Sequence, residues 1–253
     1  MTVYSFFDIS TVMQLCADDS FFSEAIRNIF ALSGEETVYS LKIKKNLDRA
    51  RHLCAYALLG SLEKEYGKIG DRGEDASLCK YIGISKPDFS SPLEYRIVRN
   101  ENGKPYFENK RIFFSVSHSE SLVMAAISDR ECGADVQKRG VLRNTAKIAH
   151  RLFSPDEQAL DFYDVFSAKE AVVKALGMGL DRLFDEEIKK MTDGVTENMR
   201  NAVTHNIEMD SDASNVNAKE IRISSSDFDG VCGRTETATG EEYSFSLLVR
   251  KND

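Results

Sequence analysis

Residues 112–137 read IFFSVSHSESLVMAAISDRECGADVQ, and this stretch predicts three consecutive strands. Within residues 112–117 isoleucine, phenylalanine and valine alternate with the residues between them, which is the periodicity of a strand. Residues 122–127 are apolar throughout and predict a second strand that is buried on both faces. The two strands can pair as a hairpin around residues 117–121, and residues 132–137 predict a third short strand.

Helices and further strands surround this stretch. Apolar residues at helical spacing predict one helix at about 47–66 and another at 165–176, which Gly177 and Gly179 would end. The polar segment 192–219 predicts a surface insertion or a mobile loop. Capping boxes at 33–36 and 154–157 predict further helix starts, and residues 220–224 and 243–249 alternate as strands. Together these elements indicate an α+β protein.

The composition is that of a soluble globular protein, with 42% hydrophobic and 29% charged residues among 253. The 41 acidic and 33 basic side chains give a net charge of −8, which disfavours sequence-independent binding to nucleic acid. The longest apolar run is too short to span a membrane, and residues 1–10 carry no signal-peptide pattern. The five cysteines lack metal-binding spacing. We therefore expect a cytoplasmic protein with reduced cysteines and no membrane partner.

The third predicted strand carries two oxygen-bearing side chains at alternate positions. Asp135 and Gln137 point to one face of an extended chain, whereas Ala134 and Val136 point to the other. Two oxygen ligands on one face suit a hard cation such as Mg²⁺. The alternative is a strand end whose polar residues are simply solvated.

The predicted helix at 165–176 places Glu170 and Lys174 four residues apart, so that a carboxylate and an ammonium group lie side by side. Val165, Ala168 and Val172 form a different, apolar face that predicts a core contact. The polar pair is either part of a catalytic site or an exposed ion pair worth about 0.3–0.5 kcal/mol.

His118 lies between two serines at the end of a predicted strand. Such a histidine can bind phosphate or transfer a proton, or it can be a hydrogen-bonded turn residue. A serine hydrolase is a poor fit, because the sequence contains no GxSxG elbow. A basic cluster is either a phosphate clamp or a solvated helix face, and comprises Lys42, Lys44, Lys45, Arg49 and Arg51.

Taken in order, these segments resemble the 4′-phosphopantetheinyl transferase superfamily, in particular its larger surfactin-synthetase-activating (Sfp-like) branch. The paired signature consists of a Gly-x-Asp strand and a (Trp/Phe)-Ser-x-Lys-Glu-x-x-x-Lys helix. It reads here Gly133-Ala-Asp135 and Phe166-Ser-Ala-Lys169-Glu170-Ala-Val-Val-Lys174, followed by Gly177-Met-Gly179-Leu180. The other matching segments are Asp48-Arg-Ala-Arg51, Gly103-Lys104-Pro105-Tyr106, Phe114-Ser-Val-Ser117-His118-Ser119, and Leu152-Phe153-Ser154 with Glu157. The clear match covers residues 103–180.

The resemblance implies a 4′-phosphopantetheinyl transferase-like fold of two pseudo-symmetric α+β halves, with the active site in the cleft between them. Residues 1–130 would form the N-terminal half, for coenzyme A binding and carrier contact. Residues 131–253 would form the C-terminal half, with the metal-binding strand, the catalytic helix and the polar insertion around 192–219. A chain that carries both halves is expected to act as a monomer.

The resemblance also implies a reaction, in which the 4′-phosphopantetheine moiety of coenzyme A passes to a serine of an apo acyl or peptidyl carrier protein. Adenosine 3′,5′-bisphosphate is released. Asp135, Gln137 and Glu170 would hold Mg²⁺, and Glu170 would also accept the serine proton. Lys174 would neutralise charge on the pyrophosphate. The further residues implied to contact coenzyme A are Arg51, Lys104, Ser117, His118 and Lys169.

Two departures from the family pattern leave alternatives open. Gln137 stands where glutamate is common, and Phe166 stands where tryptophan is common. An amide oxygen is a neutral and weaker metal ligand. A non-catalytic module that binds coenzyme A or a carrier protein, with a weakened metal site, is therefore an alternative. A Mg²⁺-dependent hydrolase of coenzyme A-like pyrophosphates is another.

Overall fold

The computed structural model describes residues 1–70, 79–109, 111–140, 142–201, 205–206 and 216–251. The helices are α1 (Met13–Ala17), α2 (Asp19–Ile29), α3 (Gly34–Ser40), α4 (Asn46–Gly70), α5 (Thr145–Leu152), α6 (Phe162–Ala175) and α7 (Glu186–Asn201). The strands are β1 (Thr2–Asp8), β2 (Cys79–Tyr81), β3 (Ile97–Arg99), β4 (Pro105–Phe107), β5 (Phe113–Ser119), β6 (Leu122–Ser128), β7 (Cys132–Lys138), β8 (His205–Asn206), β9 (Val216–Ser224), β10 (Phe228–Thr237) and β11 (Glu242–Arg250). Short 3₁₀ turns occupy Ile9–Val12, Glu157–Ala159 and Leu180–Phe184.

The first sheet has the strand order β2-β1-β6-β5. Strands β5 and β6 form the predicted antiparallel hairpin, and β1 pairs with the other edge of β6. Every residue of β6 is buried, which confirms the prediction from its unbroken apolar run. Alternate side chains of β6 enter two different cores, because successive residues of a strand point to opposite faces.

The second sheet has the order β7-β11-β10-β9-β8 and is antiparallel at each pairing. The two sheets face each other across one core, to which Phe6 and Met124 contribute from the first sheet and Phe245 from the second. Helix α4 covers the outer face of the first sheet, and α6 and α7 cover the outer face of the second. The layers therefore follow the order helix, sheet, sheet, helix.

The α+β class predicted from the sequence is confirmed, as are the helices at 47–66 and 165–176. Helix α6 ends as expected at Gly177, which takes the left-handed conformation with φ +69°. The first sheet uses strands between residues 2 and 128, and the second uses strands between residues 132 and 250. The boundary at residue 130 and the pseudo-symmetry of the two halves stay predictions.

The loop interpretation of residues 192–219 is wrong over much of that segment. Helix α7 extends to Asn201, and residues from Val216 onward form β9. Thr192 and Thr196 are buried in spite of their polarity, because each hydroxyl is hydrogen-bonded inside the protein. Residues 202–204 and 207–215 lie outside the described residues.

Of the helix starts predicted from the two capping boxes, the one at Ser33 is confirmed and the one at Ser154 is wrong. At Ser154 the reciprocal bonds form, with the Ser154 amide donating to Glu157 Oε2 (2.8 Å), yet only a 3₁₀ turn follows. Helix α6 begins later, where the Asp161 side chain caps the amides of its first turn. At Ser33 a helix does begin, but the Ser33 hydroxyl accepts a hydrogen bond from the amide of Ile97 instead of capping it.

Over the described part of the chain, no helix combines the length and apolar character that crossing a membrane requires.

Candidate active site

The candidate site lies where helix α6 crosses strand β7. Gly133 allows this close crossing, because a Cβ atom at that position would lie 1.9 Å from the carbonyl oxygen of Ala171 and 2.4 Å from the amide nitrogen of Ala175. The glycine of the Gly-x-Asp motif thus has a steric role. The close approach brings Glu170 on α6 beside Asp135 on β7, with both side chains buried.

Asp135 is the centre of a hydrogen-bond cluster. Its Oδ1 accepts from Lys174 Nζ (2.6 Å) and from Ser117 Oγ (2.9 Å), and its Oδ2 accepts from Gln137 Nε2 (2.9 Å). Strands β5 and β7 and helix α6 all contribute to this cluster. The predicted residues Ser117, Asp135, Gln137, Glu170 and Lys174 therefore come together in three dimensions.

Lys174 pairs with Asp135 and not with Glu170, although Glu170 lies one turn earlier on the same helix. Its Nζ also lies 3.0 Å from Ser117 Oγ and 3.2 Å from the carbonyl oxygen of Ala134, and its side chain keeps 25% of its surface exposed. Asp135 is almost fully buried, whereas the Lys174 side chain is partly exposed, so that the pair lies at the edge of the site. The sequence left open that Glu170 and Lys174 form an exposed ion pair along the helix, and the structure does not show that pair.

The carboxyl of Glu170 has an unusual pKa. Burial, followed by the negative charge of Asp135, raises this pKa to about 8, whereas Lys174 acts in the opposite direction. The side chain also lies within hydrogen-bonding reach of Asp135. Two carboxyl groups held this close are expected to share a proton unless a cation neutralises them.

The residues at this point fit a magnesium ion. Asp135 and Glu170 supply carboxylates and Gln137 supplies an amide, and Mg²⁺ typically takes one or two carboxylates together with water and substrate phosphates. Burial is the larger cause of the raised pKa of Glu170, and the negative charge of Asp135 adds to it; a divalent cation would neutralise that charge. Within the described ranges, no group of three or more His, Cys, Asp or Glu side chains forms a richer metal site.

A cavity of about 290 Å³ adjoins Lys174. Its walls include Lys104 and Pro105 from the turn before β4, Phe114 from β5, and Met178 and Leu180 after α6. The ammonium group of Lys104 points into the wall, where it donates to the carbonyl oxygens of Cys132 and Lys174. Burial lowers the pKa of Lys104, and the positive charge of Lys174 also lowers it.

Arg51 and His118 lie on the α4 side of the site. The Arg51 Nε donates to the carbonyl oxygen of Glu120 (2.8 Å), and its guanidinium group contacts the carboxylates of Asp48 and Glu120. The His118 side chain is exposed at the surface. Partial desolvation lowers the pKa of His118, and the charges of Arg51 and Lys174 lower it further. The three cationic or basic side chains therefore share one electrostatic neighbourhood.

Lys169 does not lie at this site, contrary to the expectation that it contacts coenzyme A. Its side chain is 1% exposed, and its Nζ binds Glu157 Oε2 (2.9 Å) and Thr192 Oγ1 (2.8 Å). Neighbouring residues of a helix point about 100° apart, so that Lys169 faces α7 while Glu170 faces β7. Lys169 and Glu157 form a buried ion pair that joins α6 to the turn at Glu157–Ala159.

Sequence reasoning missed a row of serines that joins the two sheets. Ser115, Ser117 and Ser119 of β5 accept hydrogen bonds from alternate amides of β7, at 2.9, 3.3 and 2.9 Å. The donors are the amides of Ala134, Val136 and Lys138. The pattern Ser-x-Ser-x-Ser was visible in the sequence, but its role depends on the placement of β5 beside β7, where the hydroxyls accept hydrogen bonds from the β7 amides.

The N-terminal basic cluster is not gathered around Asp135. Arg49 bonds to Asp19 and to the carbonyl oxygen of Ile43, while Lys42, Lys44 and Lys45 are exposed before α4.

Residues 131–216 match a family model described as the 4′-phosphopantetheinyl transferase superfamily. The chain is also similar to the 4′-phosphopantetheinyl transferase of Bacillus subtilis, with 31% identity over 137 residues that cover 49% of this chain and 58% of the relative. It is 31% identical over 93 residues to the 4′-phosphopantetheinyl transferase gsp of Aneurinibacillus migulanus, which covers 32% and 38% of the two chains. For psf-1 of Bacillus pumilus, also named as such a transferase, the identity is 32% over 105 residues, covering 36% and 44%.

These comparisons confirm the resemblance predicted from the motifs. The matched stretch includes Asp135, Gln137, Glu170 and Lys174, which are the residues that the structure gathers at one point. The chain matches between 38% and 58% of the length of the relatives named here.

Proposed function

We propose, from the match of residues 131–216 to the 4′-phosphopantetheinyl transferase superfamily, that this chain is a 4′-phosphopantetheinyl transferase. Its substrates would be coenzyme A and an apo acyl or peptidyl carrier protein. The carrier serine Oγ would form a bond to the phosphorus that bears the pantetheine arm. The bond from that phosphorus to the bridging oxygen would break, releasing adenosine 3′,5′-bisphosphate.

The observation that carries the proposal is the cluster of Asp135, Glu170 and Lys174 beside a cavity. Phosphoryl transfer depends on positioned cations where charge spreads, together with a base that orients the nucleophile. Lys174 is a partly exposed cation beside the cavity, and Glu170 is a carboxyl group whose pKa of about 8 lets it gain and lose a proton slightly above neutral pH. The cluster therefore supplies both requirements of this reaction.

We propose that Asp135 and Glu170 hold Mg²⁺, with Gln137 as a further ligand or as a hydrogen-bond partner of Asp135. When bound, the ion would supply positive charge to the pyrophosphate. Glu170 would accept the serine proton at a carboxylate oxygen, and Lys174 would neutralise a phosphate oxygen. Arg51, His118 and Ser117 would help to bind coenzyme A, since Arg51 and His118 lie on the same side of the site as Lys174.

The remaining expectations are retained as part of the proposal. Residues 1–130 and 131–253 would act as two halves with the site between them, and the chain would act as a monomer in the cytoplasm. Carrier proteins would dock near the Glu170 helix. Lys169 is left out of the proposed contacts with coenzyme A, because its ammonium group is buried against Glu157.

The test is incubation of the protein with coenzyme A, Mg²⁺ and a panel of apo carriers, followed by mass spectrometry of the carriers. Asp135→Ala and Glu170→Ala should abolish the phosphopantetheine mass gain, whereas Glu187→Ala should not, because Glu187 is an exposed carboxylate on α7. Circular dichroism would verify that each variant is folded. Absence of any mass gain with the wild-type chain would contradict the proposal.

The second candidate is a non-catalytic module that binds coenzyme A or a carrier, and Gln137 is the observation that favours it. The Gln137 side-chain amide nitrogen donates to Asp135. A glutamate at position 137 would instead add a third negative charge to those of Asp135 and Glu170. Binding of coenzyme A that is insensitive to Mg²⁺, without transfer, would support this candidate. Transfer restored by Gln137→Glu would then identify the missing ligand. Free phosphopantetheine as the product would instead indicate a pyrophosphate hydrolase.

A further inference from the structure

The C-terminal end of helix α6 is held by a turn that comes from the other half of the chain. This turn, residues 100–104, joins β3 to β4. The Asn100 and Asn102 side-chain amides both donate to the carbonyl oxygen of Gly177, at 2.8 and 3.0 Å. The ammonium group of Lys104 donates to the carbonyl oxygen of Lys174. Three side chains of one short turn thus bind two carbonyls at this end of the helix, that of Lys174 in its last turn and that of Gly177 just after it.

The Lys174 carbonyl needs a partner, because the last four carbonyls of a helix lack an intrahelical donor. The amide of Gly177 donates to Lys174 O (3.1 Å) and that of Met178 to Val173 O (3.0 Å), as in a Schellman motif. The 100–104 turn adds donors to Lys174 O and Gly177 O. The positive charge of Lys104 at a helix C-terminus is also favourable for the helix dipole.

The 100–104 turn is held in place by hydrogen bonds of its own. The Asn100 Oδ1 accepts from the amides of Asn102 (3.1 Å) and Lys104 (2.9 Å), and Gly103 takes a left-handed conformation with φ +81°. Arg99 donates to the carbonyl oxygen of Gly103 (2.9 Å). The same Arg99 makes two hydrogen bonds to a carboxylate on α3, that of Glu36, which is almost fully buried. A turn held in this way can fix the position of what it binds.

We propose that Asn100, Asn102 and Lys104 are positioning residues that fix helix α6, so that Lys174 and Glu170 stay in register with Asp135. This inference rests on the proposed function for its kinetic consequences, but its structural content does not. The contacts reach the backbone at Lys174 itself and at Gly177, three residues later. Small displacements of catalytic groups cost much activity, about 100-fold for a shift of 1 Å. The turn acts through α6 and need not touch the reacting atoms.

The sharpest variants are Asn100→Asp and Asn102→Asp, singly and together. Each substitution keeps the shape of the side chain but removes the amide donor to Gly177 O. Asn100→Asp also keeps an oxygen acceptor for the two backbone amides within the turn. Asn109→Asp is the matched control, because Asn109 Oδ1 accepts from the Arg111 amide in another exposed turn. Asn102 is exposed, so that its single variant is expected to fold.

The first readout is hydrogen exchange, followed by mass spectrometry, of peptides covering residues 171–180. We expect the Asn100→Asp and Asn102→Asp double variant to exchange about tenfold faster there than the wild type. Asn109→Asp should leave exchange in these peptides unchanged. Unchanged exchange in the double variant would overturn the inference, whether or not the protein transfers phosphopantetheine.

The second readout is steady-state transfer. For the double variant we expect kcat to fall by about 10- to 100-fold while the KM for coenzyme A changes little. A raised KM with unchanged kcat would overturn the inference, because it would make the turn a binding surface. No transfer by the wild-type chain would overturn the proposed function alone, since hydrogen exchange still decides the positioning role.

Lys104→Met separates positioning from phosphate binding. If Lys104 acts only through α6, the kcat of this variant should fall by the same factor with coenzyme A and with the analogue that lacks the 3′-phosphate. A KM that rises for coenzyme A but not for the analogue would assign Lys104 to the 3′-phosphate and overturn its positioning role. Faster exchange in residues 171–180 of this variant would support positioning.

Discussion

At the scale of single residues, burial decides what each ionisable group can do. Asp135 is buried but accepts hydrogen bonds from Ser117, Gln137 and Lys174, so that its charge is compensated. Glu170 is buried beside this carboxylate, and its pKa rises to about 8. A site that needs one stable anion and one exchangeable proton can be built from two carboxyl groups in this way.

Burial also raises the pKa of Glu63, which lies away from the site, and this shift predicts how the stability of the protein depends on pH. Glu63 is 5% exposed, its Oε1 has no hydrogen-bond partner among the described residues, and its Oε2 accepts from the amide of Glu94 (3.1 Å). Burial raises the pKa of Glu63 to about 8, so that the folded state holds a proton that the unfolded state releases above its ordinary pKa of 4.5. This group therefore makes the free energy of unfolding fall as pH rises between those two values, by about 1.4 kcal/mol per unit.

Glu63→Gln should remove that contribution, because the amide is neutral at every pH and can still accept from the Glu94 amide. Urea denaturation between pH 5 and pH 8 would show a shallower pH dependence for the variant, and higher stability than the wild type at the upper end. Glu24→Gln, at an exposed position of α2, is the control and should change neither. Parallel curves for wild type and Glu63→Gln would contradict the prediction.

At the scale of elements, the site depends on how closely β5, β7 and α6 approach one another. The serine row of β5 gives the β7 amides acceptors that would otherwise be lacking where the two sheets meet. On the other side of β7, Gly133 permits direct contact between strand and helix backbones. One strand is thus held between a serine-bearing strand and a helix, and Asp135 lies between them.

Gly133→Ala should separate α6 from β7. The added Cβ would lie 1.9 Å from a backbone oxygen, and no side-chain rotation can relieve that overlap. We expect a loss of at least about 3 kcal/mol in the free energy of unfolding, with loss of transfer activity in whatever fraction folds. Gly67→Ala is the matched control, because a Cβ at this position of α4 would have no atom of the described residues within 4 Å.

The control should be neutral or stabilising by up to about 1 kcal/mol, since alanine favours helix more than glycine does. Chemical denaturation measures both variants. Equal stability of Gly133→Ala and the wild type would show that α6 can move without cost.

At the scale of the whole molecule, the two sheets share a core and cannot be separated without exposing it. Tyr4, Phe6 and Phe245 pack against one another there, with the rings of Phe6 and Phe245 only 4.9 Å apart. Each sheet therefore depends on the other to cover one face. The net charge of −8 is distributed over this shared body, while Arg51, His118 and Lys174 lie together on one side.

The shared core predicts a single unfolding transition. Cys54 is buried between α4 and the first sheet, and Cys232 is buried beneath α6 at the second. Pulsed thiol labelling through a urea titration, with each cysteine resolved by peptide mass spectrometry, should give the same midpoint for both. The half-buried Cys79 is an internal control for labelling before unfolding. Different midpoints would mean that the halves unfold independently.

The sequence by itself determined the elements whose periodicity is strong, namely the hairpin of β5 and β6, strand β7 and helices α4 and α6. It also placed Asp135, Glu170 and Lys174 on two of those elements, because their spacing is local. It did not predict β1 or β10, which lack a clean alternation of apolar and polar residues. Strand β1 pairs with β6, which lies far away in the chain, and β10 pairs with β9, of which the sequence pattern identifies only residues 220–224.

Only the tertiary structure decided which partner each side chain takes. Lys174 pairs with Asp135 across the sheet rather than with Glu170 on its own helix, and Lys169 is buried against Glu157. The 100–104 turn binds the end of α6 across sequence separations of 70, 75 and 77 residues. Local spacing fixes the direction in which a side chain leaves its helix or strand. The partner it meets depends on non-local packing, which local spacing does not contain.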